Sequence, residues 1–195
     1  MKIAIIHDWL TGMRGGEKCL EVLCKLYPSA DIFTLLHIPG KVSPVIESHR
    51  IHTSFIQNLP FAESKYRYYL PLMPSAIEAF DLKEYDLILS SSHCVAKSVK
   101  PGPSSMHICY CHTPMRYIWD QFDQYFGKGK SSWFAATAMK FIRGWLQRWD
   151  VKTSRRVNHF IANSRHVQKR IKKYYNQEAA IIHPPVDTGL FTPDT

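Results

Sequence analysis

The sequence is short of acid. Its 195 residues hold 16 Asp and Glu against 25 Lys and Arg, a formal net charge of +9 with a pI near 9.3. That balance favours nucleic acid, anionic lipid head groups or phosphate-bearing substrates, without choosing among them. No run of roughly 18 uncharged apolar residues occurs, so no transmembrane helix is expected. Lys2 leads into Ile3-Ala4-Ile5-Ile6 and then Asp8, which is too short for a signal-peptide core and lacks a cleavage site. The five cysteines (Cys19, Cys24, Cys94, Cys109 and Cys111) are odd in number and sit in apolar or helical settings. Both features argue against a disulfide framework and for a reducing, cytoplasmic setting. There is no fixed-period repeat. Helix-turn-helix, RNA-recognition and zinc-finger patterns are also missing, so no nucleic-acid partner is expected despite the charge.

What is present fits one globular domain: 45% hydrophobic residues, 21% charged, and enough length for a sizeable core. Residues 2–7 form a continuous apolar run that reads as a buried strand, and 17–26 read as an amphipathic helix stopped by Pro28. Further strands are expected at 31–36, 50–55, 85–91, 106–111, 158–163 and 179–183. Short helices interrupted at Pro71 and Pro74 are expected within 61–80. A long helical section is expected over about 115–157, broken near Gly127 to Ser132. Ser164 reads as the N-cap of a helix over 165–175 with an apolar stripe of Val167, Ile171 and Tyr174. Strands alternating with helices predict an α/β fold, a Rossmann-like parallel sheet with helices on both faces.

Two places stand out for chemistry. The loop 12–16 joins the first strand to the first helix, where ligands of open parallel sheets sit. Glycines there let a phosphate approach the helix N-terminus. Gly12-x-x-Gly15-Gly16 is not the dinucleotide fingerprint, and a tight turn without a ligand remains the other reading. His112 in Cys111-His112-Thr113-Pro114 lies where a strand meets a helix, at the same sheet edge. It suits a donor to a sugar hydroxyl or phosphate, or else a buried histidine bonded to backbone.

Weaker patterns fall away. Cys109, Cys111 and His107 share one strand face while His112 points away, unlike the turn-borne pairs of zinc sites, so no metal is expected. Gly129-Lys130-Ser131 lacks the glycine and strand of a phosphate loop. Ser92 and His93 are strand neighbours pointing to opposite faces, so they do not form a nucleophile–base pair. On the helix 133–149, Phe134, Ala138, Phe141, Ile142, Trp145 and Trp149 form an aromatic stripe, with Lys140, Arg143 and Gln147 opposite. That helix either packs on the sheet or lies on an anionic membrane, through Lys140, Arg143, Trp145 and Trp149. The run Arg165, Lys169, Arg170, Lys172 and Lys173 is a solvated helix face or meets lipid or a phosphorylated acceptor.

Several segments taken together resemble the family 4 glycosyltransferases of the GT-B fold, most closely the bacterial O-antigen mannosyltransferase group. They are IAIIHDWLTGMRGGEKCLE, HTSFIQNLPF, YRYYLPLMPSAIEAFDL, YDLILSSSHCVAKSV, HICYCHTPMRYIWD and FIANSRHVQKRIKKYY leading into HPPVD. The resemblance implies two Rossmann-like domains, of which residues 1–186 are the N-terminal, acceptor-binding one. Residues 187–195 would begin the linker to a C-terminal domain that binds the nucleotide-sugar. It implies that Gly15 and Gly16 approach the donor diphosphate, that His112 is the catalytic contact to the transferred sugar, and that Arg116 and Tyr117 shape the acceptor pocket. It implies no cofactor and no metal. The substrates would be a nucleotide-sugar (GDP-mannose favoured) and a lipid-linked glycan in surface polysaccharide synthesis at the inner face of the cell membrane. The anomeric configuration would be retained, and this half alone would be inactive. A stand-alone Rossmann-like binding module for a phosphorylated ligand or a protein is the alternative.

Overall fold

The computed structural model describes residues 1–120 and 133–186, with side chains from 141 onward in the second stretch. Strand β1 (Ile3–His7) is buried at every residue. A strand with no exposed face needs cover on both sides. Ala4 and Ile6 point into one core cluster with Phe33, Met73 and Ile88. Ile3 and Ile5 point into another with Leu20, Ile32 and Ile46. This is the two-residue alternation of a pleated strand.

Around β1 lie β2 (Asp31–Thr34), β3 (Ile51–Thr53), β4 (Leu87–Ser92), β5 (Met106–Cys111), β6 (His159–Ala162) and β7 (Ala179–Ile181). They make one seven-stranded parallel sheet in the order β3-β2-β1-β4-β5-β6-β7. The expected Rossmann-like architecture is therefore the one observed. Its order reverses between β1 and β4, the switch point at which ligands of such sheets bind. Strand β3 is shorter than expected because Ser54 turns the chain. Its Oγ accepts from Ile56 N at 3.2 Å and opens a 3-10 turn, Phe55–Asn58.

The helices are α1 (Gly15–Leu26), α2 (Pro44–Glu47), α3 (Ala62–Lys65), α4 (Met73–Glu78), α5 (Arg116–Trp119), α6 (Trp133–Ser154) and α7 (Arg165–Tyr175). Pro74 starts α4 rather than interrupting it, because a first-turn residue needs no N–H partner. Ser164 caps α7 as expected, accepting from Val167 N at 3.3 Å, and Asn176 closes it in the left-handed conformation. Tyr175, not Tyr174, completes the buried stripe of α7 with Val167 and Ile171. Tyr174 instead stacks on Trp119 at 4.4 Å. Helix α6 ends at Ser154, within the helical section expected to about 157, and its last turns carry buried Asp150, Thr153 and Ser154. The expected break at Gly127 to Ser132, the Lys140 side chain and the expected linker 187–195 lie outside the described residues. Among the described residues no helix is long and apolar enough to cross a membrane.

His107 on β5 is fully buried. Its Nδ1 lies 3.2 Å from the Arg156 carbonyl and must donate to it, so Nε2, 2.9 Å from Ser90 Oγ, accepts the serine hydroxyl. Burial, with Lys97 and Arg156 nearby, pushes its pKa down to about 4. The unfolded chain takes up this proton below about pH 6.5 and the fold does not. Stability is therefore unaffected above that pH and lost as pH falls toward 4. Between pH 7 and 4.5 this one group is expected to remove about 2–3 kcal/mol. Urea unfolding of wild type and His107→Gln at both pH values checks it: the variant should lose that much less, and equal losses would exclude the effect.

Candidate active site

The carboxyl ends of β1, β4 and β5 bring three histidines together. β1 ends at His7, followed by buried Asp8 and Trp9; β4 ends at Ser91 and Ser92, followed by His93; β5 leads into His112. Each position follows from a short apolar strand running out at one sheet edge. The ring centroids of His93 lie 6.0 Å from His7 and 6.4 Å from His112, and His93 meets Trp9 edge-on at 4.5 Å.

Asp8 organises the β4 side. Its Oδ2 accepts the N–H groups of His93 at 2.7 Å and Cys94 at 2.9 Å, and its Oδ1 those of Val95 at 2.6 Å and Ala96 at 2.8 Å. His93 Nδ1 lies 3.1 Å from Oδ2. Burial alone would push this carboxyl up. His93, the N–H donors and His7 outweigh it and hold the pKa below the usual carboxylate range.

His112 is pinned through its backbone. Its N–H donates to Ser92 O at 2.8 Å, and its carbonyl accepts from Asn163 Nδ2 at 3.1 Å. On the ring, Nε2 lies 2.9 Å from Ser91 Oγ. Burial, reinforced by His7 and His93, pushes its pKa down to about 3, so the ring is neutral at neutral pH.

These groups face a cleft of about 460 Å³ whose lining includes Gly15, Gly16, His112, Arg116 and Tyr117. The residues singled out for donor, sugar and acceptor contact thus share one cavity. A Cβ on Gly15 would meet nothing within 4 Å, and one on Gly16 would touch the His7 and His112 rings at 3.6 and 3.8 Å. The two glycines therefore leave the start of α1 open and next to His112. Neither nearby carboxylate is free to attack a sugar: Asp8 is held by four N–H groups, and Glu17 accepts from Arg14 N at 3.0 Å while facing His7. The chemistry available is positioning, hydrogen bonding through His112, and attraction of anionic groups by Arg116 and the α1 N-terminus.

The set Lys140, Arg143, Trp145 and Trp149 does not share one outward face. Trp149 packs on the core and donates from Nε1 to Glu78 at 3.0 Å. Arg143 and Gln147 both donate to the Ile118 carbonyl at 2.8 Å. Phe141 and Trp145 point outward, 80% and 48% exposed. The inward face is set by Ile142, Leu146 and Asp150, which turns part of the aromatic stripe out and part of the polar face in. Arg170 of the cationic run also faces inward, bonded to Thr113 and Asp120.

His7, Asp8 and Glu17 escaped the sequence reading, and Ser91 and His93 entered it only in the serine–histidine pattern of residues 90–93, set aside as a nucleophile–base pair. Their partners lie mostly 84 or more residues away, and only the polar pair His7-Asp8 closing an apolar strand marks the place.

The Anabaena protein Alr3699/HepE, in its complex with UDP, superposes with a TM-score of 0.56 at 15% identity, over 97% of this chain and 46% of that one. Its complex with UDP-glucose gives 0.55 at 14% identity, over 100% and 47%. The lipopolysaccharide outer core galactosyltransferase WaaB, in its apo form, gives 0.50 at 12% identity, over 95% and 46%. At such identities these likenesses speak for the fold alone, and the chain spans about half the length of each structure. No curated protein matches the sequence. The model of Glycosyltransferase Family 4 matches residues 13–190, nearly the whole chain, and so the chain belongs to that family.

Proposed function

We propose that this chain is the N-terminal, acceptor-binding half of a retaining glycosyltransferase. Residues 1–186 form that domain, and 187–195 begin the linker to a C-terminal domain that binds the nucleotide-sugar. The enzyme moves a hexose, mannose by preference from GDP-mannose, to a lipid-linked glycan in surface polysaccharide synthesis, and the half is inactive alone. The observation that carries this reading is the shared cleft, with neutral His112 beside the open start of α1. Gly15 and Gly16 admit the donor diphosphate, His112 contacts the transferred sugar, and Arg116 and Tyr117 border the acceptor. The structures of HepE with UDP and with UDP-glucose support a nucleotide-sugar as donor class and leave the base and sugar to experiment.

Contact with an anionic membrane is supported by the outward stripe of α6. Besides Trp145 it carries Phe141, Arg148 and Lys152, and Arg155 follows in the turn after it, all exposed and at helical spacing. This is the pattern of a helix lying in a lipid interface, with Arg148, Lys152 and Arg155 in the roles first given to Arg143 and Trp149.

One assay tests both parts. Protein from the complete reading frame is incubated with GDP-mannose, UDP-glucose or UDP-galactose and anionic vesicles bearing a diphosphate-linked sugar lipid. Sugar transfer and vesicle-bound protein are measured in the same tubes. Transfer is expected from GDP-mannose, to fall at least about 100-fold in His112→Ala. Binding is expected at low salt, weakened at high salt. No transfer from any donor would overturn the enzyme reading, and transfer without vesicle binding would overturn the membrane contact.

A further inference from the structure

Behind His112 runs a buried chain of polar groups that the proposed transfer does not use. Ser91 Oγ lies 2.9 Å from His112 Nε2 and 3.1 Å from His7 Nδ1. His7 Nε2 has no hydrogen-bond partner among the described residues, and the Glu17 carboxylate stands 3.7 Å beyond it. Ser91, His7 and Glu17 come from β4, β1 and α1 and are buried, and His112 directly follows β5. Nothing in local sequence requires them to meet.

Proton counting orders this chain. The Ser91 hydroxyl has one proton, so it donates to one ring and accepts from the other. A lone pair on His7 Nε2 would face the Glu17 carboxylate and be repelled, whereas an N–H there is attracted. Nε2 therefore carries a proton. A neutral His7 then accepts the Ser91 hydroxyl at Nδ1, and Ser91 Oγ in turn accepts the N–H of His112 Nε2. That leaves a lone pair on His112 Nδ1, an atom with no hydrogen bond among the described residues on a side chain that lines the cleft. The other groups near these rings are the Asp8–His93 pair, Arg116, and Tyr110, whose ring stands 5.2 Å from that of His112 while its hydroxyl donates to the Ile182 carbonyl. Asp8 is already bonded by backbone N–H groups and neither Asp8 nor His93 bonds to the chain, while Arg116 lines the cleft.

We propose that Glu17, His7 and Ser91 are positioning residues that fix the proton of His112 on Nε2 and present its Nδ1 lone pair to a hydroxyl of the bound sugar. This rests on the reading of His112 as the sugar contact. A histidine fixed in one tautomer offers an acceptor of known direction, which a freely exchanging ring does not.

Long-range nitrogen–proton NMR of the 15N-labelled chain at pH 7.5, without substrate, reads the tautomer directly. The His112 signals are identified by their loss in His112→Gln. Wild type is expected to show His112 protonated on Nε2. Glu17→Gln keeps the shape and the Arg14 contact but removes the charge, and Ser91→Ala removes the bridge. Each should shift the tautomer ratio by roughly tenfold, the low end for a hydrogen bond to a charged group. Wild type protonated on Nδ1 overturns the proposal, as does an unchanged tautomer in both variants with the fold retained. The wild-type spectrum decides even if Ser91→Ala does not fold. Because no substrate is present, a wrong tautomer rejects the relay and leaves the transfer assay to judge the function.

Discussion

Replacing Lys97 with methionine is expected to destabilise the fold by about 3–5 kcal/mol, the scale found when one partner of a buried ion pair is removed. Lys97 is among the largest fully buried side chains of the protein. Its Nζ lies 2.8 Å from Asp150 Oδ1 and donates to Asp150 O at 3.0 Å and Ser98 Oγ at 3.1 Å. It also stands 4.8 Å over the Tyr175 ring. The other carboxylate oxygen, Oδ2, accepts from Trp119 Nε1 and Tyr175 OH, both at 2.8 Å. One carboxylate thus ties the turn after β4 to α5, α6 and the end of α7. Methionine nearly fills the volume of the lysine stem, so the cavity contribution is small. What remains is an Asp150 charge with no counter-ion in a dry interior. The double variant Lys97→Met, Asp150→Asn should recover much of the loss, because the amide oxygen still accepts from Trp119 and Tyr175 and no buried charge is left behind. Urea unfolding of the four proteins gives the double-mutant cycle. A single-variant cost below about 1 kcal/mol, or a double variant no better than the sum, would show that Asp150 does not depend on Lys97.

Residues such as these show where sequence reasoning reached and where it stopped. The strands were legible because Ile3 to Ile6 and Met106 to Cys111 are short apolar runs with turn residues at their ends. The same runs located His112 and Gly15-Gly16, since whatever follows an apolar strand in a parallel sheet falls at its carboxyl edge. The Ser164 cap of α7 was legible because a cap is a local event between residues three apart. The interior of the site was not. His7 meets Ser91, and Asp8 meets the N–H groups of residues 93–96, across 84 or more positions, a pairing fixed only by the registry of β1 on β4. Lys97 and Asp150 carry no local sign of their pairing, since they lie 53 positions apart and meet only when α6 packs on the turn after β4. The aromatic stripe of α6 misled for a related reason. An amphipathic pattern shows that a helix has two faces, but Leu146, Asp150 and their partners decide which one turns inward.

The second large effect is expected at Asp8. Asp8→Asn should cost roughly 3–6 kcal/mol, from two or more buried N–H groups left without a carboxylate acceptor. The wild-type carboxylate takes four N–H groups, two on each oxygen. An asparagine keeps one oxygen and turns an NH₂ toward the other pair, so donors face donors in a site with no access to water. The turn at 93–96 would then loosen, and His93, which leans on both Asp8 and Trp9, would lose its place at the cleft. The loss has a counterpart in pH. Because the folded pKa of Asp8 is held down, its contribution is complete above the ordinary value near 4 and fades as pH falls from there through the folded value. This lies below the range in which His107 acts, so the two can be separated by titration. Denaturant unfolding gives the stability, and amide exchange at residues 93–96 reports the turn itself. A variant with near wild-type stability and slow exchange at those four amides would mean that backbone packing alone holds the turn. A loss of stability with accelerated exchange confined to 93–96 and the cleft edge would identify the buried carboxylate as the group that sets the β4 side of the site.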